Sequence, residues 1–90
     1  MRDIEYGYDR RDGVIKQWNE QGGYGFIMEF DGRLDIFVHR SNLDDTFLRD
    51  GRKVPYVGDE VKFSKSRDVL KQKNIATNVT IVRYARNMRP

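Results

Sequence analysis

Apolar and polar positions alternate most clearly over residues 22–39, GGYGFIMEFDGRLDIFVH. Successive side chains of a strand point to opposite faces. Read that way, Ile27, Leu34, Ile36 and Val38 share one face, and Tyr24, Phe26, Phe37 and His39 share the other. A small sheet with one wet side shows apolar residues on one face only, so the second apolar face requires an explanation. Gly22-Gly23 breaks the chain before the first of these strands, and Asp31-Gly32 predicts a tight hairpin between them. The same pattern predicts strands over 13–19 (GVIKQWN), 23–30, 34–39, 60–66 (EVKFSKS) and 75–82. Residues 40–57 form a long connection with one helical turn near Leu43 to Leu48, and residues 67–74 (RDVLKQKN) a charged loop. Residues 1–12 are polar and aperiodic and read as a flexible arm. Residues 83–90 read as a basic tail, leaving 13–82 as the domain.

Five short strands in so small a chain must curl to hide their edges. The predicted class is all-β, a five-stranded antiparallel Greek-key barrel of the OB type. Its narrow interior suits Ile15, Ile27, Ile36, Val38, Val61, Phe63, Val79 and Ile81. Parity then places Tyr24, Phe26 and Phe37 outside, with Asp35 and His39, neither of which tolerates full burial unpaired.

Composition narrows the chemistry. Ninety residues without cysteine exclude disulfides and thiolate metal sites, and one histidine argues against multi-histidine metal centres. No phosphate-loop spacing or nucleophile motif is present, so neither an enzyme nor a cofactor is expected. No apolar run is long enough for a membrane span. The net charge of +3 is uneven: residues 13–39 carry −2 and residues 76–90 carry +3. A basic balance suits a polyanionic partner but is small, and a merely solvated surface explains it as well.

The outward rings carry more information. Leaving a large apolar side chain exposed forgoes about 1.5–3 kcal/mol of burial, and contiguous apolar surface marks binding sites. Aromatic rings beside a few polar groups suit stacked nucleobases, worth about 1–3 kcal/mol per base.

The residues GVIKQWN (13–19), GYGFI (23–27) and DIFVHRS (35–41) resemble the cold-shock domain pattern G-x-V-K-W-F-N, K-G-[FY]-G-F-I and D-[VI]-F-V-H-x-S. The stretches GDEVKF (58–63) and ATNV (76–79) resemble its fourth and fifth strands, so the likeness covers residues 13–82. It implies an OB-type barrel that binds single-stranded RNA or DNA, RNA more than DNA, with no cofactor. By that resemblance Tyr24 and Phe26 fall on the RNP1 stacking positions, Phe37 and His39 on the RNP2 positions, and Lys16 and Asn19 on the strand-one positions. Phe47 stands in for the family's loop aromatic. The departures are Gln17, where the pattern has tryptophan, and Trp18, which parity places on the face of Lys16 as a shifted platform. Gly22 replaces a lysine, and Arg40 stands where an aromatic is common. Backbone contacts are therefore expected from Arg40, Lys62, Lys71, Lys73 and the tail arginines.

The expected function is an RNA chaperone or a post-transcriptional or translational regulator, cytoplasmic with the nucleus open. The protein is expected to be a monomer rather than a dimer, and to have no membrane partner. The alternative is a protein-interaction or self-associating module using the same aromatic face, favoured by the acidic local charge of the motif hairpin. Each residue also has a plainer role: Tyr6 or Tyr8 covering the rings, His39 as a strand-end cap, Trp18 as a core or rim residue, Phe47 as packing under the loop, and the lysines as solvated charges.

Overall fold

The structure is a computed structural model that describes residues 4–5, 10–32 and 34–85. Among the described residues eight strands run in the order β1 (Ile4–Glu5), β2 (Arg10–Asn19), β3 (Tyr24–Glu29), β4 (Asp35–His39), β5 (Leu48–Arg49), β6 (Arg52–Lys53), β7 (Glu60–Asp68) and β8 (Lys73–Arg83). Single 3-10 turns occupy Arg40–Asn42 and Asp45–Phe47, the second within the helical turn expected near Leu43 to Leu48. The predicted start at residue 13 falls inside β2: Arg10, Arg11 and Asp12 pair with Ser64, Phe63 and Lys62 of β7. The backbone of β1 also pairs with the end of β7.

The sheet order β7-β2-β3-β4-β8, closed by a β7–β8 pairing, makes a five-stranded barrel. The expectation of an antiparallel barrel is corrected at one seam. β4 and β8 run parallel, with Phe37 opposite Ile75, while the other four seams are antiparallel. The reason is arithmetic. Strand directions cannot alternate all the way round a closed ring of odd number, so at least one neighbouring pair must agree in direction.

β2 serves two neighbours, β3 and β7, and it turns from one to the other around Gly13. Gly13 faces Glu29 on one side and Val61 on the other. A Cβ there would stand 2.6 Å from the Met28 carbonyl oxygen and 2.7 Å from Ile27 Cγ2, so the crossing requires glycine.

The interior matches the parity argument. Ile15, Ile27, Ile36, Val38, Val61, Phe63 and Val79 are completely buried, and Ile81 nearly so. Leu34 does not join them: β4 begins one residue later, and Leu34 stays exposed in the 30–34 connection, which is longer than a two-residue turn. The long connection contributes Leu43 and Phe47 to the core instead. Phe47 is 0% exposed, so its expected role as a loop aromatic for a ligand is overturned. The second 3-10 turn drives that ring inward. Its cap Asp44 accepts from Thr46 N at 2.9 Å, and Ile81 N donates to Thr46 Oγ1 at 2.8 Å, fastening the turn to β8.

A buried carboxylate fixes the rest of the connection. Asp59 is completely buried and accepts from Tyr56 N and Ala85 N, each at 2.9 Å, and from Arg49 Nη2 at 3.2 Å. The Arg49 guanidinium lies 4.2 Å from the Tyr56 ring centroid and 5.4 Å from that of Tyr84. One residue thus ties the long connection to the C-terminal end of β8.

Candidate nucleic-acid interface

The outer face of β3 and β4 is built by register. Tyr24 stands opposite His39, and Phe26 opposite Phe37. The residues between them, Gly25, Ile27, Ile36 and Val38, point inward and are buried, which leaves the rings outside and half-buried. Tyr24 and Phe37 stack with centroids 5.8 Å apart and planes at 24°; Phe26 meets Phe37 edge-on at 5.9 Å and 75°. Each ring is therefore braced by another ring, so little rotamer freedom remains to be lost on binding.

Polar groups frame this platform. Lys73 Nζ lies 3.9 Å from the Phe37 centroid, a cation–π contact that brings the start of β8 onto the face. Lys16 reaches the face too, but is paired with Asp35 at 3.1 Å. His39 Nδ1 accepts from Ser41 N at 3.1 Å, so that nitrogen is unprotonated and Nε2 carries the hydrogen in the neutral ring. The expected capping role of His39 and its place on the platform therefore coexist. Asn19 shapes the turn before β3: Oδ1 accepts from Gly22 N at 2.9 Å, and Nδ2 donates to the Tyr24 hydroxyl at 3.3 Å. Lys71 sits in the exposed β7–β8 turn, where its backbone N–H donates to Asp68. Lys62 pairs with Asp12 at 2.8 Å. Arg83 is exposed at the end of β8, whereas Arg86 and Arg89, like Tyr6 and Tyr8, lie outside the described residues. Among the described residues no cluster of His, Asp and Glu could hold a metal ion.

Residues 11–82 match the family described as the "Cold-shock" DNA-binding domain. The chain belongs to the cold-shock domain family. Cold shock protein CspA of Rhizobium meliloti is 40% identical over 57 residues, covering 60% of this chain and 80% of that protein. Cold shock domain-containing protein 4 of Arabidopsis thaliana is 49% identical over 37 residues, covering 41% of this chain but 18% of the relative. The solved structure of drosophila Unr CSD456 superposes with a TM-score of 0.67 over 93% of this chain and 30% of that one; at 21% identity this likeness concerns the fold.

The geometry explains how this cold-shock domain departs from the family pattern. A bulge interrupts β2: Ile15 faces Ile27, yet Gln17 faces Phe26 and Trp18 faces Gly25. The extra residue reverses parity beyond it. Gln17, not Trp18, therefore lies beside Phe26 on the platform, and the expected common face of Trp18 and Lys16 is corrected. Trp18 is half-buried, packs against the core and lies over Gly25, where a Cβ would meet Trp18 Cε3 at 2.6 Å. Its ring still helps to line a shallow cleft of about 140 Å³ with Gln17, Asn19, Tyr24 and Phe26. Arg40 turns away from the platform. Its guanidinium sits 5.8 Å from the Trp18 ring centroid and pairs with Glu20 at 2.8 Å. Glu20 also binds Arg52 and accepts from Trp18 Nε1 at 3.0 Å. The indole N–H, and after it the Arg40 and Arg52 charges, hold the Glu20 carboxyl below its ordinary range. Glu20 and Arg52 escaped the sequence reading, because no strand period links residues 32 positions apart.

Proposed function

We propose that this cold-shock domain binds single-stranded nucleic acid by stacking bases on Tyr24, Phe26, Phe37 and His39, and that it acts as a binder rather than an enzyme. The observation that carries the reading is the braced, outward aromatic cluster on a barrel whose branched side chains already fill the interior. Such a surface offers π faces to any base, which suits a protein that holds strands open without choosing among sequences. RNA in preference to DNA is the finer part of the proposal. Stacking is indifferent to the sugar, so a preference requires a contact to the 2′-hydroxyl. His39 Nε2–H and the Lys73 ammonium are the donors at the platform's edge that suit it. The proposed role is that of an RNA chaperone or a regulator of messenger RNA, acting as a monomer.

Titration with short RNA and DNA oligonucleotides tests this, followed by tryptophan emission, since Trp18 lines the cleft beside Tyr24 and Phe26. Saturable quenching by single strands and little by duplex is expected. The double substitution Phe26→Ala with Phe37→Ala should leave the barrel folded and weaken binding more than tenfold, from two lost stacking partners at about 1–3 kcal/mol each. Unchanged affinity in a folded double variant would refute the reading. Concentration-dependent sedimentation without nucleic acid would then favour self-association through the same face.

A further inference from the structure

A second concavity adjoins the aromatic platform. It has a volume of about 660 Å³ and is lined by Glu20, Gln21, Arg40, Arg52 and Lys53. Trp18 separates it from the stacking cleft: the indole lines that cleft, and the same ring carries the Arg40 guanidinium. Arg40 directly follows His39, the last platform residue of β4, so a strand lying on the platform has this pocket beside its path.

Two arginines meet here over one acid, with a lysine beside them. Glu20 pairs with both Arg40 and Arg52, while Lys53 donates to the Leu43 carbonyl at 2.8 Å and stands 3.9 Å from the exposed Asp45 carboxylate. Arg40 Nε is buried and has no hydrogen-bond partner among the described residues. Arg52 is 66% exposed, and its side chain is fixed by the Glu20 contact. One carboxylate thus occupies a site whose donors outnumber what it can satisfy. A phosphodiester carries the same charge on two free oxygens and matches the planar donor fork of arginine.

We propose that the pocket of Arg40, Arg52 and Lys53 is a backbone-phosphate subsite for the bound single strand, and that Glu20 fills it in the free protein. The site rests on the stacking reading above and deepens it. Glu20 acts as a resident competitor: a phosphate must displace it from the arginines, and the released carboxylate then turns to solvent. The device lowers affinity for polyanions that lack bases to stack, because the arginines become available to a strand already held on the rings.

Binding of a mixed-sequence single-stranded RNA heptamer, measured against salt concentration, tests the proposal with Glu20→Gln, Arg52→Ala and the Phe26→Ala/Phe37→Ala pair. Each phosphate contact contributes about 0.7 to the slope of log K against log salt on single strands, so the wild type should show a shallow slope. Glu20→Gln should bind roughly two- to fivefold tighter at low salt, the yield of one or two freed surface ion pairs. Arg52→Ala should reduce the slope by about 0.7 while keeping the melting temperature, since the side chain is exposed. The aromatic pair should lose affinity with the slope unchanged. If Glu20→Gln binds no tighter and Arg52→Ala keeps the wild-type slope, the subsite is overturned while the stacking loss stands. A folded aromatic pair that binds as well as wild type would overturn the stacking reading, and the subsite with it.

Discussion

Gln17 occupies the place on the outer face, opposite Phe26, where a flat ring would extend the platform. A carboxamide there offers hydrogen bonds but little stacking surface. Gln17→Trp should therefore tighten single-strand binding by about 1–3 kcal/mol, at least fivefold, read by titration at fixed salt. Trp18 needs no change for this, because the bulge already sends it to the other side of β2. Glu29 shows a different residue-scale logic. It takes an inward position on β3, yet it is a carboxylate at 3% exposure, held by Arg11 at 2.8 Å and Lys65 at 3.4 Å. Burial acts to raise this carboxyl, but the Arg11 hydrogen bond and the Lys65 charge outweigh it and hold the group below its ordinary range. The folded value is thus lower than the unfolded one. The stabilisation is complete above the unfolded carboxylate range and is lost as pH falls through the depressed folded value. Glu29→Gln should accordingly melt at a lower temperature near neutrality and converge on wild type in acid, as thermal unfolding across pH 2–7 would show.

Among the elements, the long 40–57 connection behaves as part of the barrel rather than as a loop laid over it. Two of its apolar residues, Leu43 and Phe47, complete the core, and its far end is held by Arg49 and Asp59. Removing one partner from a buried ion pair costs about 3–5 kcal/mol, a large part of the 5–15 kcal/mol that stabilises a domain. Asp59→Ala should lose that amount in urea unfolding. Asp59→Asn should lose less, because its amide oxygen still accepts from a backbone N–H. The limits of the sequence reading lie at this scale too. Strand parity in 24–29 and 35–39 was legible because alternation is a local property, and it correctly separated Ile27, Ile36 and Val38 in the core from the three rings outside. The bulge after Ile15 was not legible: an extra residue in a strand changes every face beyond it and leaves no local mark in composition. The inward turn of Phe47 depends on a 3-10 turn fastened to β8, and the Arg40–Glu20–Arg52 cluster joins three separate segments. Such contacts are set by closure of the barrel, which no window of sequence contains.

For the molecule as a whole, the odd number of strands in the barrel has a mechanical consequence. The one parallel seam, between β4 and β8, is registered at Phe37 and Ile75, whereas β7 and β8 share eight registered pairs. Ladders of unequal length share strain unequally, so the barrel should breathe by parting at this seam, and β4 amides on that side should exchange with solvent before those between β7 and β8. Phe37 belongs to one lip of the seam and Lys73, packed on its ring, to the other. A base stacked on Phe37 with its strand held by Lys73 would grip both lips at once. Hydrogen exchange at the seam should then slow on binding by more than at the β2–β3 ladder, and the oligonucleotide would act as the clasp that keeps the barrel shut.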